Sequence, residues 1–290
     1  MNYTIKNATL EVEISTLGAE LQSIKKDGTQ YLWQGSEDSW KNKATNIFPY
    51  VGRMTDGKYT FKGNTYEMGG HGLIRYIEFV PAQISENKII FKTESDENTL
   101  KSYPFKFELH IIYEIIENKL NISFQVFNKD SQTMYFGLGG HHGFFVPLED
   151  GIEFEDYYLE FENACNPIKY NTAVADGLIR DNVAYALKND KILNLEHNLF
   201  DNDALIFEYM DKTITLKSDK SNKKVVVNYP NMNYLAIWHT PSKKVPFVCI
   251  EPWTSLPSRY GITEDFENQP SLISLEANKS YINTWTVSIY

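Results

Sequence analysis

The dominant pattern along this chain has a period of two. Leu120, Ile122, Phe124 and Val126 alternate with Asn121, Ser123, Gln125 and Phe127, and Glu117-Asn118 separates this run from the apolar stretch Phe105 to Ile116. Alternation of this kind places every second side chain on one face of a strand, so the two runs predict a hairpin. Comparable strand-and-turn units recur at Val12 to Ile24, at Phe79 to Lys92 around Glu86-Asn87, at Leu205 to Leu216 around Met210-Asp211, and at Val225 to Trp238 around Pro230-Asn231. Helical periodicity is scarce: Ser36 to Asn42, Ser95 to Tyr103 and Gly177 to Leu187 have room for short helical turns, and none carries a long amphipathic stripe. The expected class is therefore all-β, a large antiparallel two-sheet sandwich.

No linker, fixed-period repeat or low-complexity tract divides the 290 residues, which predicts a single domain over 1–290. The charged cluster Ser218 to Lys224 reads as a solvated hairpin tip. A formal charge of −10 argues against general attraction to nucleic acid or an anionic membrane and suits a small neutral ligand better. No apolar run is long enough for a transmembrane helix and the N-terminus lacks a secretory pattern, so a cytoplasmic location is expected. Cys165 and Cys249 have neither CxxC spacing nor activating neighbours, and read as buried or idle thiols. Exposed sheet edges leave a monomer or a weak homodimer as the expected state.

Five polar residues stand where the flanking sequence is apolar or glycine-rich. They are Arg53 in Phe48-Pro-Tyr-Val-Gly-Arg-Met54, His71 in Gly69-Gly-His-Gly-Leu-Ile-Arg75, His141 in Gly139-Gly-His-His-Gly143, Asp203 in Asp201-Asn-Asp-Ala-Leu-Ile-Phe207, and Glu251 in Phe247-Val-Cys-Ile-Glu-Pro-Trp253. Glu251 ends an apolar run, where poor solvation raises a carboxyl toward the range of a working base; a carboxylate tied to an arginine or a turn is the competing reading. His141 competes with a structural histidine, Arg53 with a surface ion pair, and Asp203 with a turn cap or with Asp201. His141 and His142 are neighbours on extended backbone, so their rings should point to opposite faces. That geometry, with no HxH or HExxH spacing, disfavours a protein-bound metal. Neither a GxSxG elbow nor a dinucleotide fingerprint is present, and no cofactor is implied. Trp33, Trp40, Trp238 and Trp253 fit either a sugar-stacking wall or the core.

In this order, and together with Leu17-Gly-Ala-Glu-Leu21 and Val248-Cys-Ile-Glu-Pro252, these motifs resemble the aldose 1-epimerase (galactose mutarotase) family over nearly the whole chain, and within it a divergent LacX-like branch. The resemblance implies a galactose mutarotase-like β-supersandwich whose open cleft receives a monosaccharide, without a cofactor or metal. It implies Glu251 as general base on the anomeric hydroxyl and His141 as the acid that protonates the ring oxygen. It further implies Arg53, His71 and Asp203 as substrate-binding residues. Where better-known members carry a small or proline residue and then Tyr-Phe-Asn after the histidine, this chain has His142-Gly143-Phe144-Phe145; a register one residue later makes His142 the acid, and galactose is not secured as the sugar. A hexose phosphate 1-epimerase aided by Arg53 and Arg75, a non-catalytic carbohydrate-binding protein, and a glycoside hydrolase using Glu251 with Asp203 are the alternatives.

Overall fold

The computed structural model describes residues 1–290, and its regular secondary structure is almost entirely β-strand, paired antiparallel except for Glu264–Asp265 with Lys58–Phe61. The hairpin around Glu117 forms as the alternation predicts: Phe107–Ile116 pairs with Lys119–Asn128 over ten residue pairs, and Glu117 takes the positive φ that the tight turn needs. These two strands belong to a nine-stranded sheet whose middle strand is the C-terminal Ser280–Ile289, paired with Lys119–Asn128. Successive positions along both strands alternate between buried and half-buried, with an exposed residue only at the turn.

The second large sheet has seven strands. From one edge to the other they are Asp181–Ala184, Ile168–Asn171, Leu205–Glu208, Tyr234–Trp238, Phe247–Trp253, Gly139–Phe145 and Ala44–Ile47. One face of this sheet packs on the nine-stranded sheet, and a cluster of 65 buried residues fills the space between. Trp285, fully buried and the largest side chain in that cluster, reaches from the nine-stranded sheet toward Gly140 and His142 of the seven-stranded one. The other face of the seven-stranded sheet is free of the core and carries the cleft.

The N-terminal strands form a four-stranded sheet of their own. The motif Leu17-Gly-Ala-Glu-Leu21 ties it to the large sheets. Asn46 donates to the Gly18 and Ala19 carbonyls, Tyr113 donates to the Ala19 carbonyl, and Glu20 accepts from the Lys43 and Ala44 amides. This part of the family pattern holds sheets together and does not reach the cleft.

Several local expectations need correction. Leu205–Glu208 and Thr213–Ser218 are consecutive strands that belong to different sheets, as are Val225–Asn228 and Tyr234–Trp238. Each pair crosses the sandwich instead of forming a hairpin, because a turn fixes only a reversal of direction and the buried faces decide the partner. Residues 177–187 hold the edge strand Asp181–Ala184 in place of a helix, and 36–42 form a turn closed by the Ser36 amide on the Trp40 carbonyl. Only Ser95 to Tyr103 carries the expected helical turn, at Thr99–Ser102. Residues 218–224 connect paired strands at the surface, as read from their charge.

Candidate active site

The glycines around the histidine pair explain how an apolar strand carries polar chemistry. A Cβ at Gly139 would lie 2.6 Å from the Trp253 ring, and one at Gly143 would lie 3.0 Å from Trp40 and 3.1 Å from Trp33. Both positions share a face with His141, so the missing side chains make room for an aromatic box around it. Gly140 lies on the opposite face with His142, where a Cβ would meet Trp285 at 2.6 Å. The expected divergence of the two rings is therefore observed. His141 faces the cleft, stacked on Trp40 (ring centroids 4.7 Å apart) and met edge-on by Trp238, while His142 is fully buried and edge-on to Trp285.

Across the sheet from His141 stands Glu251. The pairs Gly139 with Trp253 and His142 with Ile250 fix this register, and it brings His141 Nδ1 to 3.4 Å from Glu251 Oε1. Neither His141 Nδ1 nor Glu251 Oε2 has a hydrogen-bond partner in the protein. Burial pushes the Glu251 carboxyl well above its ordinary range, helped by the nearby Asp203 charge; burial, with His71 and His142 nearby, holds His141 well below its ordinary value. Both shifts favour the uncharged form of each group.

His71 and Arg53 reach the cleft on two glycine loops that are bonded to each other. The His71 amide donates to the Gly52 carbonyl (2.7 Å) and the Gly52 amide to His71 Nδ1 (3.3 Å), while the Leu73 amide donates to the Phe48 carbonyl. Gly72 lies so close to the Phe48 carbonyl that a Cβ would stand 2.3 Å from its oxygen. Accepting at Nδ1 leaves the His71 proton on Nε2, and burial beside Arg75 and Arg53 lowers its pKa to about 3, so the ring is neutral at physiological pH. Asp203 adopts a positive φ and accepts from Trp238 Nε1 at 2.9 Å, which fixes the indole that flanks His141. Burial raises the Asp203 carboxyl, partly offset by Trp238 and Arg53.

These five residues, far apart in the chain, line one cavity of about 320 Å³. Arg75, Trp40, Trp238 and Trp253 join them there, whereas Trp33 belongs to a separate packed cluster behind Trp40. The reading from sequence missed Thr172, Gly177, Ile206 and Pro257, which also line the cavity. Their neighbours are ordinary strand and loop residues, and no local signal marks them.

The same corner gathers ligand atoms that spacing along the chain cannot reveal: His141, Cys249 and Glu251 hold a nitrogen, a sulfur and an oxygen within 4.8 Å of one another. Burial and the adjacent Glu251 push the Cys249 thiol well above its ordinary value, which works against the thiolate a metal requires.

An open sheet face with an imidazole and a carboxyl paired across strands, ringed by indoles, arginines and a neutral histidine, forms a polar pocket on a β-supersandwich. The chain belongs to the aldose 1-epimerase family, whose sequence profile matches residues 1–288. Among particular relatives, it is 32% identical to the chromosomal protein LacX of Lactococcus lactis subsp. lactis, covering 96% of this chain and 97% of that protein. In structure it is similar to a galactose mutarotase related enzyme from Lactobacillus acidophilus (TM-score 0.95, 32% identity, 100% and 97% of the two chains). It also resembles a galactose mutarotase-like protein from Lactobacillus casei ATCC 334 (TM-score 0.94, 28% identity, both chains fully covered). No helix is long and apolar enough to cross a membrane.

Proposed function

We propose that this protein interconverts the α and β anomers of a free hexose, with Glu251 as general base and His141 as general acid. The observation that carries this reading is the pair of unpartnered, buried atoms of His141 and Glu251 facing one cavity from adjacent strands. Glu251 takes the proton of the anomeric hydroxyl as the C1–O5 bond breaks, and His141 delivers a proton to O5, giving the open-chain aldehyde. Rotation about C1–C2 presents the other carbonyl face. On closure His141 takes back the O5 proton as O5 attacks C1, and Glu251 returns its proton to O1, so both groups end as they began.

Burial disfavours both charges and shifts the pair toward its neutral form, carboxylic acid and imidazole. The productive ion pair, carboxylate and imidazolium, contains the same number of protons. It is reached by moving one proton within the pocket, and the sugar hydroxyl and ring oxygen supply the hydrogen bonds that stabilise it. The expected pH–rate profile is a plateau over the range in which the pair together holds one proton, falling on the alkaline side as that proton is lost and on the acid side as a second is gained. Arg53 and the Nε2 proton of His71 bind sugar hydroxyls, and Asp203 orients the ring while fixing Trp238.

Polarimetry or NMR of freshly dissolved α-glucose and α-galactose, with wild type, Glu251→Gln and buffer alone, tests this. Acceleration by wild type only is the expected result; equal rates for wild type and Glu251→Gln would remove Glu251 from the chemistry.

One observation favours a second reading, an anionic hexose such as a hexose phosphate. Arg53 and Arg75 both line the cavity, neither forms an ion pair with a carboxylate, and Arg75 Nε is buried without a partner. Two free guanidinium groups suit phosphate oxygens. A higher kcat/KM for glucose 6-phosphate than for glucose, lost in Arg75→Ala, would select it.

A further inference from the structure

A second cavity, also of about 320 Å³, lies beside the first and is lined by Tyr170, Asn182, Tyr234 and Arg259 among others; Pro257 borders both. Strand register relates the two. Thr45 pairs with His141, which stands opposite Glu251; Glu251 pairs with Ala236, Ala236 with Ile206, Ile206 with Tyr170, and Tyr170 with Asn182. Partners directly opposite in antiparallel strands project to the same face. One straight row of side chains, a single residue from each of the seven strands, therefore runs from the acid–base pair to the far edge of the sheet. Its middle, Ala236 and Ile206, is apolar and buried, packed with Trp253 and Tyr234, and Ile206 forms part of the wall of the first cavity. Its far end, Tyr170 and Asn182, is an aromatic ring followed by an exposed amide.

The row also gives a scale. Tyr170 is three strands from Glu251, about 14 Å at roughly 4.8 Å per strand. A single pyranose with C1 at Glu251 ends short of that distance, and a second ring joined to it reaches. Tyr170 is held for such a role: its hydroxyl donates to Glu208, and its ring meets Tyr234 edge-on at 6.3 Å. The side chain of Asn182 makes no hydrogen bond within the protein and is free to bond hydroxyls.

We propose that the second cavity binds the sugar unit attached to the reacting ring, so that the preferred substrate is a neutral reducing disaccharide or longer saccharide lying along this row. The inference rests on the mutarotase reading for which ring reacts; its binding part does not depend on catalysis.

Two measurements separate the readings. Intrinsic tryptophan fluorescence, which reports on Trp40, Trp238 and Trp253 in the first cavity, gives Kd for glucose and galactose and for lactose, maltose and cellobiose. Polarimetry gives kcat/KM for the same sugars. At least one disaccharide is expected to bind, and to react, about tenfold better than its own reducing-end monosaccharide. Tyr170→Ala and Asn182→Ala are each expected to abolish most of that gain while leaving both constants for the monosaccharide within about twofold, and Tyr170→Phe, which keeps the ring, retains it. Asn182 is exposed on an edge strand, so its variant carries little folding risk. Equal constants for monosaccharides and all three disaccharides would overturn the proposal, as would variants that weaken both classes alike. A disaccharide preference in binding with no acceleration of any sugar would support the second site and discard the mutarotase reading; monosaccharide turnover with no disaccharide gain would do the reverse.

Discussion

His141 and His142 are adjacent, identical in type and on one strand, yet they occupy two different media. His141 looks into a cleft lined by indoles and charged groups, with a carboxyl 3.4 Å away. His142 looks into the main core, where neither ring nitrogen has a partner and burial lowers its pKa to about 3. Both rings are kept neutral by poor solvation, but only His141 has a titratable neighbour with which to exchange a proton. What makes a histidine available for chemistry here is the face of the sheet it stands on, together with the glycines that clear space on that face.

The largest expected effect tests the cleft side. Glu251→Gln and His141→Asn should each lower kcat/KM for the preferred sugar by about 10²–10⁴-fold, the usual worth of a positioned acid or base, with thermal denaturation little changed. If His142→Leu causes that loss instead, the assignment of the two histidines is reversed.

Next in size is a test of the core side. Gly140→Ala places a methyl group against Trp285 and His142 and should cost about 1–3 kcal/mol in denaturant unfolding, the usual penalty of overpacking. An unchanged midpoint would mean that the core yields at that point more easily than its close contacts imply.

His142→Leu sharpens the comparison through pH. The folded pKa of His142, about 3, lies below the ordinary 6.5, so the unfolded chain takes up a proton that the folded chain refuses. Its contribution to stability is complete above pH 6.5 and is lost progressively as pH falls toward 3, with a slope of about 1.4 kcal/mol per pH unit. The variant should unfold like wild type near pH 7, resist acid better, and keep its turnover. An acid limb as steep as that of wild type would place the titrating group elsewhere, His71 and His239 having similarly lowered values.

The smallest effect is expected at the mouth of the cleft. Arg53 is exposed and makes no ion pair, so Arg53→Ala should raise KM several-fold to about tenfold while changing kcat little. A fall in kcat with KM unchanged would move Arg53 from binding to the reacting centre.

Much of this site was legible before folding was considered. Polar residues set in apolar or glycine-rich runs, at Arg53, His71, His141, Asp203 and Glu251, mark places where a strand gives up burial, and all five line one cavity. Period-two alternation correctly gave the β class and the hairpin around Glu117, and it placed the two histidines on opposite faces. Alternation states which side chains share a face but carries no information about which strand lies alongside. Hence the crossing of Leu205–Glu208 to Thr213–Ser218 between sheets, the packing of Ala236 and Ile206 beside the cleft, the meeting of Cys249 with His141, and the row ending at Tyr170 and Asn182 were decided only in the tertiary structure. Those pairings are fixed by how the large buried rings, Trp285 foremost, fill the space between two sheets, and that is a property of all the strands at once.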